Sequence, residues 1–204
     1  MKKSENNNNV PLNEGSLNRI WSYINEYDAA AITAYRNSDI NCVHGDNSGI
    51  KYSKRDNQDR NRELRASLLS NNYDVITISG LYIEGFGSDT TKEVKETTYL
   101  VINRKNDTNF NNKIAKLGEY FCQDSVLIIP KGGSDAYLLG TNNSDFPGFG
   151  RQHKVGNFKP KGEGMFMSKK DNASFTFENW DNNNVMGKWM IHLLAENANK
   201  FLSK

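Results

Sequence analysis

The chain has 204 residues, enough to bury one full hydrophobic core but few for two domains of ordinary size. Hydrophobic residues make up 36% and charged residues 25%, and the chain holds 10 Phe, 9 Tyr and 3 Trp, so we exclude a disordered chain and expect a folded domain. The net charge of +2 is too close to zero to indicate a nucleic-acid or membrane partner by itself.

The two cysteines and the apolar segments predict a location. Cys42 and Cys122 form no C-x-x-C pair, and their spacing does not suggest a disulfide framework, so we expect a reducing compartment. Residues 1–15 lack an apolar core segment, which predicts a disordered tail rather than a secretory signal. No stretch approaches the ~20 apolar residues of a membrane-spanning helix. We therefore expect a cytoplasmic protein that has no membrane partner.

The first half of the chain predicts two helices around a strand. Ser16 caps a helix whose apolar face comprises Leu17, Ile20, Trp21 and Ile24. Ala29–Tyr35 is a short apolar run typical of a buried strand, and a long polar connection over residues 36–57 follows it. A second helix is predicted to begin at Asp59 and to end near Ser70.

The segment from residue 73 to residue 139 predicts four strands and a helix. The β-branched runs 73–83 and 97–103 favour an antiparallel pair. Apolar residues at helical spacing predict a helix over residues 110–121, with Asn109 as its cap. Val126–Ile129 and Ala136–Leu139 then predict a hairpin.

The order of these elements predicts an α/β (α+β) fold. Strand, helix, strand, strand, helix, strand is the order of the ferredoxin-like split βαβ plan, in which two helices cover one face of an antiparallel sheet. We expect this core, with the added N-terminal helix, over residues 16–140. Residues 141–204 are expected to form a basic Gly/Asn/Lys-rich extension packed on the core.

The extension is predicted to be an extended wrap over residues 142–171, followed by a strand at Ser174–Phe177. A closing helix is predicted from the apolar residues Met186, Trp189, Met190, Leu193, Leu194 and Phe201. The pairs Gly148-x-Gly150 and Gly162-x-Gly164 lack a following Lys-Ser or Lys-Thr, so we interpret them as turns and not as phosphate loops.

Short motifs between Ala29 and Leu139 carry a resemblance to a known family. In chain order they are Ile32-Thr33-Ala34, Asn61-Arg62 followed by Leu64, Gly80, Glu96-x-Thr98 and Gln123-Asp124-Ser125-Val126. Their order resembles a family of uncharacterised bacterial and tailed-phage proteins, a domain of unknown function whose members read I-T-A, N-R-x-x-L, G, E-x-S and Q-D-A-V.

Two departures accompany this resemblance. Thr98 stands where the family usually has Ser, and the loop over residues 39–56 is longer than usual. The region after Gly140 is similar to the C-terminal regions of phage members. The resemblance implies a phage or prophage origin, hence the cytoplasm of a host or a virion, and it supplies no established activity.

Six polar residues are expected to converge where helix starts meet strand ends: Asn61, Arg62, Glu96, Thr98, Gln123 and Asp124. Our main interpretation is a buried hydrogen-bond network, with an Arg62–Glu96 pair, that fixes the helices onto the sheet. The alternative is a catalytic site in which Glu96 or Asp124 acts as an acid or base.

A metal site is not expected. Cys42-x-His44 with Asp46 supplies three potential ligands, but a structural zinc site needs four ligands in paired spacing and no second pair is visible. We interpret the segment as a polar loop, and we expect neither a metal nor a cofactor.

The extension is the most basic part of the chain. Residues 146–170 carry a net charge of +5, which leaves −3 for the remainder. Arg151, Lys154, Lys159 and Lys161 lie among Phe149, Phe158 and Phe166, a mixture that can neutralise phosphates and stack on bases. The alternative is a solvated surface whose phenylalanines anchor it to the core.

Our main functional interpretation is a phage-type accessory protein that acts by binding a host protein or a nucleic acid, and not by catalysis. One alternative is an enzyme on a nucleotide-like substrate, with a carboxylate base and with Arg62 holding an anionic group. Another alternative is an internal virion protein.

Overall fold

A computed structural model describes residues 17–44, 49–84, 92–160, 174–177 and 190–192. Within these ranges the helices are α1 (Leu17–Glu26), α2 (Lys54–Ser70) and α3 (Phe110–Tyr120). The strands are β1 (Ala29–Ile32), β2 (Asp74–Glu84), β3 (Lys92–Ile102), β4 (Ser125–Ile129), β5 (Ala136–Gly140), β6 (Gln152–Gly156), β7 (Phe158–Pro160), β8 (Ser174–Phe177) and β9 (Met190–His192).

These strands form one nine-stranded sheet in the order β6-β5-β4-β1-β3-β2-β9-β8-β7, with antiparallel neighbours. Its central part, β4-β1-β3-β2, has α2 after β1 and α3 after β3, which is the split βαβ arrangement. The predicted α+β fold with an antiparallel sheet is therefore confirmed.

The centre of the sheet is buried on both faces. Leu64 of α2 and Ile114 of α3 pack on one face, and Ile20 and Ile24 of α1 pack on the other. Because successive strand residues point to opposite faces, each central strand contributes to both cores. Burial at every position of β1 and β4 explains why their sequences are apolar runs without alternation.

The sheet curves around α1. Its two edge strands, β6 and β7, are consecutive in the chain and are separated only by Asn157. Phe158 is buried in the same core as α1, and its N–H donates to the Gly133 carbonyl at 2.6 Å. A side chain at Gly133 would approach the Phe158 carbonyl to 2.7 Å, and the φ of +70° also favours glycine there.

The helix α2 begins at Lys54, five residues before the predicted start at Asp59. Ser53 and Asp56 form a capping box, in which the Ser53 hydroxyl accepts from the Asp56 N–H at 3.2 Å and the Asp56 carboxylate accepts from the Ser53 N–H at 2.8 Å. These two bonds satisfy N–H groups that no helical carbonyl can reach, so the helix starts earlier than its apolar pattern indicates.

Two predictions about the third strand and third helix are corrected. The strand β3 begins at Lys92 rather than at residue 97, because it pairs with β2 as far as Glu84. Asn109 makes no side-chain capping bond. Instead the Asp107 carboxylate accepts from the Asn109 N–H at 2.9 Å.

The C-terminal extension contributes strands to the main sheet. The predicted wrap contains β6 and β7, and β8 has the predicted bounds. Met190–His192, predicted as part of a closing helix, is the strand β9. It pairs with Ser79–Leu81 of β2. Hydrogen bonding to the edge of β2 therefore decides the structure here, although the spacing of the apolar residues favours a helix. The predicted tail and the remainder of the predicted helix lie outside the described residues.

The cysteine spacing does not suggest a disulfide, but the structure contains one. Cys42 and Cys122 form a disulfide with a Cα–Cα distance of 5.0 Å, although 80 residues separate them in sequence. The bond joins the loop after β1 to the end of α3, a proximity that cysteine spacing cannot reveal. Within the described ranges, no helix has both the length and the apolar character needed to cross a membrane.

Candidate active site

The segment directly after β1, residues 33–36, is held by side chains from three directions. The Ala34 N–H donates to Asn61 Oδ1 at 2.8 Å, and the Tyr35 carbonyl accepts from Gln123 Nε2 at 3.1 Å. Asn57 bonds to both backbone groups of Arg36, at 2.8 and 2.9 Å. We call residues 33–36 the post-β1 segment. Its conformation depends on amides of α2 and of the α3–β4 connection.

Asn61 connects this segment to β3. It is only 3% exposed, and its Nδ2 donates to the Thr97 carbonyl at 2.8 Å. The same carbonyl accepts from Thr33 Oγ1 at 2.9 Å. The Asn61 side chain, which belongs to α2, therefore joins the post-β1 segment to β3. These hydrogen bonds offset the free-energy cost of burying a polar amide.

Asp124 precedes β4 and is held by a cation and an amide. Its Oδ1 accepts from Arg36 Nη1 at 3.0 Å and from Asn142 Nδ2 at 2.6 Å. No described residue donates to its Oδ2, and the side chain is 49% exposed. Asp124 therefore has one oxygen held by two donors and a second oxygen that accepts no hydrogen bond from the described residues.

Arg60 is a second guanidinium beside the post-β1 segment. Its Nε donates to the Ala34 carbonyl at 3.0 Å and its Nη2 to the Phe121 carbonyl at 2.6 Å. The guanidinium stacks over the Tyr52 ring at 4.3 Å. Burial lowers the pKa of Arg60. Arg60 thus joins α2 to both the post-β1 segment and the end of α3.

Gln123 fixes the start of β4. Its side-chain Nε2 donates to the Phe121 carbonyl at 3.1 Å as well as to the Tyr35 carbonyl. Its backbone carbonyl accepts from Thr141 Oγ1 at 2.6 Å. The Asp124 carbonyl accepts from the Thr141 N–H at 3.1 Å. These bonds tie the start of β4 to the end of β5 and so orient Asp124.

The register places the two predicted carboxylates at the same end of the sheet. β1 pairs with both β3 and β4, with Ile32 opposite Tyr99 and Ala31 opposite Leu127. The backbones of Glu96, in β3, and Asp124, directly before β4, therefore lie near the end of β1. Two strand spacings correspond to about 10 Å.

Of the six polar residues predicted to converge, Asn61, Thr98, Gln123 and Asp124 lie around the end of β1. Thr98 is buried, and its hydroxyl has no hydrogen-bond partner among the described residues. Glu96 lies in β3 opposite Gly80, and its side chain is outside the described residues.

Arg62 does not take part in the contacts described at this site. Its side chain is 76% exposed and pairs with Asp59, one turn earlier on α2. Arg62 therefore pairs with Asp59 on the helix surface, whereas we expected a pair with Glu96. Arg36 and Arg60 are the guanidinium groups at the end of β1.

Sequence reasoning missed Arg36, Asn57, Arg60 and Asn142. A signal for two of them existed, because the capping box at Ser53 extends α2 over Asn57 and Arg60 and puts Asn57 four residues before Asn61 on the buried face. Arg36 and Asn142 lie in irregular connections, and their partners are distant in sequence. No local pattern predicts those contacts.

The basic residues of the extension have various positions. Arg151 and Lys154 are exposed, and Lys154 lies 3.5 Å from Asp135 in a solvated pair. Lys159 lies in β7 with its side chain outside the described residues, and Lys161 lies wholly outside them. In the part of the chain that is described, no group of three His, Cys, Asp or Glu side chains could hold a metal ion.

Comparison with known proteins gives one family. The model of the S-adenosylmethionine lyase family matches residues 50–190, about two thirds of the chain. No curated protein is significantly similar. One similar solved structure is a phage SAM lyase in complex with S-methyl-5'-thioadenosine, with 12% identity, coverage of 64% of this chain and 88% of that chain, and a TM-score of 0.27.

The family match corrects our main functional interpretation. An accessory protein that acts only by binding a host protein or nucleic acid is wrong, because the matching family consists of lyases and lyases are enzymes. The match favours the alternative of an enzyme on a nucleotide-like substrate. The chain belongs to the S-adenosylmethionine lyase family.

Proposed function

We propose that this protein is an S-adenosylmethionine lyase, which cleaves a carbon–sulfur bond of the substrate without adding water. The observation that carries the proposal is the family match over residues 50–190. This range includes α2, α3 and the strands from β2 to β8, and it therefore contains most of the side chains that surround the end of β1.

The chemistry of the substrate makes such a reaction feasible without an external nucleophile. S-adenosylmethionine carries a sulfonium, and a neutral thioether leaves with the electron pair of the broken bond. In one route the carboxylate of the substrate attacks its own γ-carbon, so a lactone forms and no proton moves. In the other route a base removes a proton from the neighbouring carbon and an alkene forms. Both routes release S-methyl-5'-thioadenosine.

The cationic groups of this substrate, its sulfonium and its ammonium, suit carboxylates better than arginines. We assign Asp124 as a substrate-binding residue, because its Oδ2 is free of protein donors in the described part of the chain. We assign Glu96 as the second carboxylate, which holds the sulfonium or, in the elimination route, accepts the proton. Thr98, two residues after Glu96 in β3, has a buried hydroxyl to which we assign no substrate contact.

Asn61 and Gln123 support this site by holding the post-β1 segment, and we assign no substrate contact to Arg62 or to the basic residues of the extension. We propose the cytoplasm as the location, that of the host for a phage-encoded enzyme, because the substrate is an intracellular metabolite. A reducing cytoplasm would act on the disulfide, so activity should be measured both with and without a dithiol.

The proposal is tested by incubating the purified full chain with S-adenosylmethionine and separating the products by chromatography and mass spectrometry. We expect one S-methyl-5'-thioadenosine for each substrate consumed. In ¹⁸O-labelled water, no label should appear on the carbon that carried the sulfur. Lactone or alkene as the second product identifies the route. Absence of substrate consumption, with and without dithiol, would refute the proposal.

Variants at the two carboxylates test the residue assignments. Glu96→Gln and Asp124→Asn should each lower kcat/KM by about 10²-fold or more if the carboxylate meets the charge of the transition state. Both should keep the folded state, as judged by circular dichroism. Arg62→Gln is the matched control, because its side chain is exposed and pairs with Asp59 on the helix surface. Equal activity of all three variants would reject the assignments.

A further inference from the structure

We infer that Arg36 is a positioning residue of this enzyme, which holds the Asp124 carboxylate by Oδ1 so that Oδ2 faces the substrate. This inference rests on the proposed lyase function and on the assignment of Asp124 to substrate binding. Arg36 lies before the matched range 50–190. Its role is therefore derived from contacts alone.

The hydrogen bonds at Asp124 are asymmetric. Arg36 Nη1 and Asn142 Nδ2 both donate to Oδ1, at 3.0 and 2.6 Å. A carboxylate with both donors on one oxygen is fixed in rotation while the other oxygen stays available as an acceptor. The bond from the Arg36 guanidinium to Asp124 is charge-assisted, and such bonds are stronger than hydrogen bonds between neutral groups.

Arg36 is itself held in place. Its side chain is 14% exposed, and its Nη2 donates to the Ile40 carbonyl at 2.5 Å. Both of its backbone groups bond to Asn57. Because the guanidinium is already ordered, little additional conformational entropy is lost when it orients Asp124.

The contacts of Arg36 can be separated experimentally. Arg36→Met keeps the aliphatic stem and the backbone bonds to Asn57, and it removes only the guanidinium bonds to Asp124 and Ile40. Displacement of a catalytic group by about 1 Å costs about 10²-fold in rate, so we expect kcat/KM to fall by about that factor. Arg36→Lys keeps the charge without the planar fork and should lie between wild type and Arg36→Met.

A double-mutant cycle with Asp124→Asn distinguishes positioning from a general structural role. If Arg36 acts through Asp124, Arg36→Met should lower kcat/KM by less than about threefold in the Asp124→Asn background, against the factor of about 10² in wild type. The same cycle is also measured on the Kd of S-adenosylmethionine, which needs no turnover. Added guanidinium ion should partly restore Arg36→Met and should leave Asp124→Asn unchanged.

Arg62→Met is the control, with an expected change of less than about twofold because surface pairs contribute little. The inference is overturned if Arg36→Met equals wild type, or if it has the same effect in both backgrounds. If Arg36→Met does not fold, the cycle is run with Arg36→Lys, and the same two outcomes decide. A wild-type chain that cleaves no S-adenosylmethionine refutes the proposed function instead, and the positioning role falls with it.

Discussion

Replacing Asn61 by Ala tests how firmly the post-β1 segment depends on one amide. The change removes the acceptor for the Ala34 N–H and the donor to the Thr97 carbonyl. Ala34 is fully buried, so its N–H is left unsatisfied at about 1–3 kcal/mol. The Thr97 carbonyl still accepts from Thr33, so the second loss is one net hydrogen bond of about 1 kcal/mol. Together the two losses should lower the free energy of unfolding by about 2–4 kcal/mol.

The assay is urea unfolding followed by circular dichroism and tryptophan fluorescence, with thermal unfolding as a second measure. For a chain of this size, about 2–4 kcal/mol corresponds to a decrease in Tm of roughly 4–16 °C. Arg62→Ala, at the neighbouring exposed position, should change the free energy by less than about 0.5 kcal/mol. Equal effects of the two substitutions would refute the reasoning that Asn61 satisfies buried backbone groups.

Two further predictions concern the disulfide and an acidic side chain. Replacing Cys42 and Cys122 by Ser should lower the free energy of unfolding by about 2–4 kcal/mol, because the bond closes a loop of 80 residues. Thiol titration of the unreduced protein checks that the bond is present. Two free thiols in that titration would contradict the prediction. The Lys113 ammonium, with the Tyr73 hydroxyl and the Asn109 N–H, lowers the pKa of Asp107 from 3.8 to about 2. The stability that this shift contributes is present above about pH 4 and is lost as the pH falls toward 2. Asp107→Asn should therefore lose less stability than the wild type over that interval. The measurement is the Tm of both proteins at a series of pH values between about 4 and 2. Parallel curves for the two proteins would disprove it.

Much of the fold was predictable because its signals are local. The run Val126–Ile129 and the β-branched residues of 73–83 indicate strands wherever they occur in a chain, and the spacing of Phe110, Ile114 and Leu117 indicates a helix. Their order was enough for the split βαβ core. The errors at the start of α2 and at β9 arose where capping bonds or a strand edge outweighed apolar periodicity.

The candidate site was predictable only in part. Asn61, Gln123 and Asp124 lie near the end of β1, because the split βαβ plan brings helix starts and strand ends together. Arg62 was predicted at the site and Arg60 and Arg36 were missed: the extent of α2 depends on its capping box, and Arg36 lies in an irregular connection. The catalytic class came from the family match alone.

The sequence by itself determined the alternation of helices and strands, since apolar periodicity and β-branched runs act over a few residues. The tertiary structure decided the partners of polar groups: Asp124 with Arg36 and Asn142, and Cys42 with Cys122. Such pairs are separated by 18 to 88 residues. Their geometry depends on strand order and on the paths of connections, so only the assembled sheet brings them together.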